Sequence, residues 1–236
     1  MKLNNKEHVF VIGDLHGRWD ALTPMLQNVS QLPEVEEGDR ITILQTGDMG
    51  YAPKLNWSPK DFVPMLPWGY PATVIFTPGN HDDHDSIDSL NFSNGFCEVS
   101  PSIYCADFGS VYADSHGRRF LFCGGAKSID AQNRTKGVDW WTQEIISPEK
   151  MVKLPDVNID IVISHTCPSS FDIELTTIFD PSQSYLQDVL RKYRPKFWFF
   201  SHFHMFKTGF GEGCQWWMLN NVERKENWWM PVPFLE

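Results

Sequence analysis

An α/β fold follows from three features of this 236-residue chain: five short apolar runs bounded by Gly, Pro, Ser or Asp, helical periodicity between some of them, and regular spacing of the polar residues that follow. The runs are His8 to Ile12, Ile41 to Gln45, Thr73 to Thr77, Asp160 to Ile163 and Lys196 to Phe200. Continuous hydrophobicity without alternation is what strands buried on both faces require. Asp14, Asp48 and Asn80 lie 34 and 32 residues apart, close to the roughly 30 residues of a βαβ unit. Parallel strands would set them on one sheet edge, where open α/β folds bind ligands.

The elements follow in order. After the first run, Trp19, Leu22, Leu26 and Val29 recur at helical spacing and predict an amphipathic helix. The Pro-rich stretch from Ala52 to Pro71, with Trp57 and Trp68, is the longest candidate loop; because it follows Asp48 it is expected to overhang the polar cluster. From Cys97 through Cys123, the pieces Cys97-Glu98-Val99, Ile103-Tyr104, Val111-Tyr112 and Phe120-Leu121-Phe122 predict an antiparallel meander, assigned to a second sheet. Tyr185, Leu186, Val189 and Leu190 predict a second amphipathic helix, ended by Arg194-Pro195. Residues Gly209 to Leu219 and Asn227 to Leu235 carry the pairs Trp216-Trp217 and Trp228-Trp229, read as core and edge packing with a stacking platform as the alternative. Pro231 and Pro233 confine the last segment to edge or extended structure. No internal repeat or linker interrupts the chain, so one domain over residues 1–236 is expected.

Composition excludes several classes of function. No basic segment precedes a long apolar one at the start, and runs such as Phe197 to Phe200 are far too short to span a bilayer. A cytoplasmic protein without a membrane partner is expected. The five cysteines, Cys97, Cys105, Cys123, Cys167 and Cys214, are scattered and lack CxxC spacing, which predicts reduced thiols and neither a disulfide framework nor a zinc knuckle. A formal net charge of -10 disfavours nonspecific binding to nucleic acid.

Five blocks carry the chemistry: Gly13-Asp14-Leu15-His16, Gly47-Asp48, Gly79-Asn80-His81-Asp82, Ser164-His165 and Ser201-His202-Phe203-His204, holding five of the eight histidines. Asp, Asn and His offer oxygen and imidazole donors without thiolate, which suits two divalent first-row ions sharing a carboxylate. Asp14 and His16, two apart on a turn, can reach one ion, and Asp48 can bridge. The set assigns Asp14, His16, Asp48 and His204 to one metal, and Asp48, Asn80, His165 and His202 to the other. Manganese, iron or zinc fits these donors better than calcium or magnesium, and manganese is the choice for reconstitution in vitro. His81 is left over as an acid for the leaving oxygen.

The order Asp-x-His, Gly-Asp, Gly-Asn-His-Asp, His, x-His-x-His, from Asp14 to His204, resembles the calcineurin-like metallophosphoesterase superfamily. The resemblance implies a two-sheet α/β sandwich with flanking helices and a dinuclear site at the C-terminal ends of the strands. It implies a phosphate-ester substrate attacked by a metal-bridging hydroxide. Three departures stand out. Ser201 occupies a position where the family usually has Gly; no Arg follows Asp48 in Gly47-Asp48-Met49-Gly50-Tyr51-Ala52-Pro53; and Asp82 stands where the protein phosphatases have Glu. The segment Gly124-Gly125-Ala126-Lys127-Ser128-Ile129-Asp130, with Arg134 and Trp140-Trp141, is similar to uncharacterised bacterial and phage members.

Each motif has a plainer competitor. Cys167, near His165, reads as a buried thiol. The cluster Asp82, Asp83, Asp85 and Asp88 with His84 reads as a solvated loop with an N-cap, a further cation site being the alternative. Lys127 and Arg134 are either surface residues or the substrate-phosphate clamp that replaces the missing Arg. The expected function is metal-dependent hydrolysis of a phosphomonoester or phosphodiester. Alternatives are a protein serine/threonine phosphatase, a dinucleoside polyphosphate hydrolase, or a catalytically silent binding scaffold. Retention of every ligand position and of His81 argues against the scaffold. Substrate, native metal pair and oligomeric state are not encoded legibly.

Overall fold

The structure is a computed structural model describing residues 6–174 and 179–234; Leu235, in the closing segment, lies outside them. In chain order the strands and α-helices are β1 (Glu7–Ile12), α1 (Leu22–Val29), β2 (Arg40–Gln45), β3 (Thr73–Phe76), α2 (His84–Asp88), β4 (Phe96–Ser100), β5 (Ile103–Ala106), β6 (Val111–Ala113), β7 (Arg119–Cys123), α3 (Pro148–Met151), β8 (Ile161–Ser164), α4 (Pro181–Tyr193), β9 (Phe197–Phe200), β10 (Lys207–Gly211), β11 (Cys214–Met218) and β12 (Trp229–Pro231). They form two six-stranded sheets, ordered β12-β1-β2-β3-β5-β4 and β10-β11-β9-β8-β7-β6. In each, four parallel strands are flanked on both sides by one antiparallel edge strand.

The continuous apolar runs arise because both faces of the central strands are covered. Alternate residues Val9, Val11, Leu44, Ile75, Phe120, Phe122, Ile161, Ile163 and Phe199 fill the space between the sheets. The intervening Phe10, Ile12, Ile43, Val74 and Phe76 face the other way, against Leu22, Met25, Leu26 and Val29 of α1. On the opposite side Leu121, Val162, Trp198 and Phe200 meet Leu186, Val189 and Leu190 of α4. The period of two in the strands and the helical stripe together make an α/β sandwich. Asp180 caps α4 by accepting from the Ser182 N–H at 2.8 Å, Pro181 opens the helix, and left-handed Arg194 (φ 48°) before Pro195 closes it.

One expectation about the strands needs correction. The segment Cys97 to Cys123 is not one meander in a second sheet. β4 and β5 join the first sheet, with β5 parallel to β3 in the register Val74↔Ile103, whereas β6 and β7 form a hairpin in the second. Ile103 and Cys105 have an apolar surface to bury beneath the helical layer while Ala106 faces the other sheet, so an interior slot suits β5 better than a hairpin edge. The chain changes sheets at Asp107 to Ser110, where Phe108 inserts into the α4-side core and the Gly109 N–H donates to the Phe122 carbonyl at 2.8 Å. The expected common edge for Asp14, Asp48 and Asn80 is present, since they follow adjacent parallel strands of the first sheet. β1, β2 and β3 lie in the first and β8 and β9 in the second, so their carboxyl ends face each other across the sandwich.

The tryptophans pack as core and edge: Trp216 stacks on Phe171, Trp217 stacks on Phe199, and Trp229 opens the edge strand β12. A buried carboxylate also ties the sheets. Glu7 of β1 accepts from the Thr42 hydroxyl at 2.5 Å, from the Ser115 N–H at 2.8 Å and from the hydroxyl of Tyr112 in β6 of the other sheet. Burial presses the Glu7 pKa upward, but these three hydrogen bonds and Arg40 outweigh it and leave the group below its usual value.

A group lowered in the folded state contributes stability above its unfolded pKa and loses it as pH falls through the folded one. Glu7→Gln should therefore be less stable than the parent at pH 7 by about 1.5–3 kcal/mol, the worth of hydrogen bonds to a charged group. Denaturant titrations should show the gap narrowing as pH drops below 4.5, the ordinary value for this side chain. A gap independent of pH would show that the carboxylate charge is not what joins the sheets.

Candidate metal centre

The polar residues that follow the five strands converge where the two sheets face each other. One carboxylate oxygen each from Asp14 and Asp48 and one ring nitrogen each from His16 and His204 all lie within 4.8 Å of one another. His16 Nε2 and His204 Nε2 are 3.0 Å apart, and His204 Nε2 is 3.1 Å from Asp14 Oδ2. On the other side of Asp48, His165 Nε2 stands 3.3 Å from Asp48 Oδ2 and 2.9 Å from Asn80 Oδ1. The His202 ring lies against that of His165, with centroids 4.9 Å apart. Asp14, His16 and His204 thus lie on one side of Asp48 and His165 and Asn80 on the other, with His202 against the His165 ring.

Hydrogen bonding leaves the inward-facing atoms short of partners. Asp14 Oδ1 accepts from the Ser201 hydroxyl, which itself accepts from Thr46 Oγ1 at 2.7 Å, whereas the buried Asp14 Oδ2 receives no aligned hydrogen bond. His165 Nδ1 donates to the Thr46 carbonyl at 3.0 Å, which aims Nε2 at the Asn80 and Asp48 oxygens. A lone pair facing two oxygens is repelled unless a proton or a metal ion lies between them. These donors therefore fit a cation, and their nitrogen and oxygen chemistry fits a first-row divalent ion.

The electrostatics agree. Burial presses the Asp48 carboxyl upward, but His165, His81 and His16 around it hold it well below the usual carboxylate range. Burial opposes charge on His165, yet Asp48 and Asp14 raise it to about 9. A pocket that keeps a proton on a buried imidazole has strongly negative potential. His202, pushed down to about 3 by burial and by His165, stays neutral, the form that ligates metal.

The backbone is bent to deliver these groups. His16, Asp48, His202 and His204 have φ of 45°, 57°, 66° and 52°, a region that costs non-glycine residues about 1–3 kcal/mol each and clusters at functional sites. Gly79 is required: a Cβ there would lie 2.1 Å from Asp48 Oδ1. Ser201 has no left-handed φ and so needs no glycine, which explains how the family's usual residue is replaced.

The roles of several residues that hold the site went unread in the sequence. Asp82 is buried, and its two oxygens accept from the N–H groups of Gly50 (2.9 Å), Tyr51 (2.8 Å) and Gly79 (2.8 Å), stapling the Asp48 loop to the Asn80 loop. Burial and the neighbouring Asp48 raise it to about 6. Asp83 is the N-cap of α2, accepting from the Ser86 N–H at 3.1 Å, as its sequence position predicts. The ring of buried His84 lies 2.8 Å from the Gly79 carbonyl and, pushed down to about 3 by burial, donates to it as a neutral imidazole. The acidic cluster is thus buried scaffolding at Asp82, Asp83 and His84, not a solvated loop. The sequence marked Asp82 and His84 as members of the acidic cluster but gave no sign of the backbone groups they bind.

The remaining predicted residues separate. The His81 N–H donates to Asp48 Oδ1 at 2.8 Å, and its Nε2 is 2.9 Å from Arg134 Nη2, so the ring accepts from the guanidinium. Burial lowers the His81 pKa despite Asp48, with Arg134 adding to the fall. Arg134 also pairs with Asp130 at 2.7 Å. Lys127 points elsewhere, its ammonium donating to the Phe179 carbonyl at 3.1 Å. In the Pro-rich stretch the Trp57 indole packs on Gly17, next to His16. Cys167 is a buried free thiol.

The family model of calcineurin-like phosphoesterases matches residues 8–206. Among solved structures, phosphopantetheinyl hydrolase (PptH) from Mycobacterium tuberculosis aligns at TM-score 0.50 and 14% identity, over 98% of this chain and 97% of that one. The protein TT1561 of Thermus thermophilus aligns at TM-score 0.46 and 10% identity, over 91% and 89%. At 14% identity the likeness to the hydrolase is one of fold. No curated protein sequence matches the chain.

Asp48→Ala should weaken the binding of two ions and Asn80→Ala chiefly that of one, measured as manganese bound per chain after reconstitution. Equal losses in the two variants would contradict the placement of Asp48 between two groups of donors.

Proposed function

Because the chain belongs to the calcineurin-like phosphoesterase family, we propose that it is a metal-dependent phosphoesterase that cleaves a phosphomonoester or phosphodiester without a covalent phospho-enzyme. The observation that carries this reading is the meeting of Asp14, His16, Asp48 and His204 within 4.8 Å, with Asn80 and His165 across Asp48. Two divalent ions held there would supply an acidified water and positive charge against the phosphoryl oxygens. Asp14, His16 and His204 would hold one ion, Asn80, His165 and His202 the other, and Asp48 would serve both. Manganese is the ion we expect to serve in vitro. The five free thiols suit the reducing cytoplasm.

Arg134 binds substrate phosphate in place of the Arg that other family branches carry after Asp48. Its guanidinium is fixed by Asp130 and reaches His81. His81 is the general acid for the leaving oxygen. The contact of its Nε2 with Arg134 supports a second role, in which the imidazole seats the phosphate together with the guanidinium. Either role needs His81 next to the centre, where its backbone is held by Asp48.

Reconstituted with manganese, the protein should hydrolyse p-nitrophenyl phosphate or its bis-ester, and chelation should abolish turnover. The preferred ester separates monoesterase from diesterase. Two bound ions with neither ester cleaved would point to the silent scaffold.

His81→Ala should keep its metals and lose about 10²–10⁴-fold in rate on alkyl phosphates, the usual worth of a general acid, with a smaller loss on p-nitrophenyl phosphate. Equal losses on both would assign His81 to seating the phosphate. In parallel, Arg134→Lys should raise KM and weaken inhibition by inorganic phosphate, because an ammonium cannot replace a planar two-donor fork. Unchanged values would place the phosphate clamp elsewhere.

A further inference from the structure

The segment after β7 does more than bring Arg134 to the site. Gly124 and Gly125 permit two close backbone approaches: a Cβ at Gly124 would lie 2.6 Å from the Pro78 carbonyl oxygen, and one at Gly125, where φ is 113°, 2.5 Å from that of Glu144. The Gly125 N–H donates to the Pro78 carbonyl at 2.9 Å. Ser128 is thereby clamped between the Asn80 loop and Glu144.

The Ser128 hydroxyl is saturated there. It donates to Glu144 Oε2 at 2.9 Å and accepts from Asn80 Nδ2 at 3.0 Å and from Arg134 Nη1 at 3.3 Å. One donor and two acceptor lone pairs are all a hydroxyl has. Glu144 is fixed in turn by the Ser128 N–H at 2.6 Å and by Trp140 Nε1 at 3.1 Å. Exposures of 2% for Ser128, 0% for Glu144 and 2% for Asn80 leave water little access to compete. A carboxylate only accepts, so the Ser128 hydrogen must point to Glu144, and its lone pairs must then face Asn80 and Arg134. That polarity fixes the Asn80 amide with Nδ2 outward and Oδ1 toward His165.

We propose that Ser128 and Glu144 are positioning residues that orient Asn80 as a metal ligand, and that through the same hydroxyl they align Arg134 with the ion Asn80 holds. This rests on the reading of Asn80 as a ligand. Orienting partners of this kind are worth about 10–100-fold in metal affinity.

The test is a manganese(II) titration of metal-free parent, Ser128→Ala and Glu144→Gln, with free ion counted by electron paramagnetic resonance and the fold checked by circular dichroism. Two binding steps are expected in the parent. In both variants one step should weaken by about 10–100-fold while the other keeps its parent constant. Folded variants that bind both ions like the parent would overturn the relay and leave the dinuclear centre standing. Equal weakening of both steps would also overturn it, since that marks a general loosening. A parent that binds fewer than two ions would remove the dinuclear reading and the relay with it. Ser128→Ala, the smaller change, decides the matter if Glu144→Gln does not fold.

Discussion

The molecule is arranged around the problem of burying Asp48. A carboxylate removed from water costs several kcal/mol unless compensated, and here its Oδ1 is satisfied by the His81 N–H while its Oδ2 faces His16 and His165. His16 comes from the loop after β1 and His165 from the end of β8, so compensation requires strands of both sheets to end at one place. The left-handed φ of Asp48 and the bare Cα of Gly79 beside it follow from the same requirement. Asp82, buried next to it, solves a second version of the problem with backbone N–H groups in place of imidazoles.

Joining the two halves needs more than apolar contact. Phenylalanine and aliphatic side chains between the sheets resist separation but impose little direction on sliding. Hydrogen bonds do: Glu7 to Tyr112 at one end of the sandwich, and Ser201 to Asp14 and Thr46 at the other, set the relative position of the sheets. The ligand groups depend on that alignment, because a shift of one strand residue would carry His165 away from Asn80.

Much of this was legible in the chain. The five central strands could be read because burial on both faces leaves unbroken apolar runs, and the two long helices because their stripes are regular. The seven candidate ligand positions could be read because five polar blocks follow apolar runs in order, which capping or surface placement of single residues does not produce. Strand order in the middle of the chain could not: pieces of three to five residues do not record which sheet they join, and the switch at Asp107 to Ser110 looks like any other turn. Nor could the supporting roles of Asp82, His84, Ser128 and Glu144 be read. Each depends on hydrogen bonds between loops distant in sequence, and a lone Ser or Glu carries no mark of its partner.

The antiparallel strands that border each sheet have a further effect, on how copies of the protein meet. An open edge offers unpaired N–H and C=O groups to any passing strand. Here Pro231 removes a donor from β12, and β4 carries a register irregularity between Glu98 and Ser100. In the second sheet β6 is only three residues long. Three of the four borders are thus ill suited to templating, which leaves five-residue β10 as the edge through which copies would meet at high concentration.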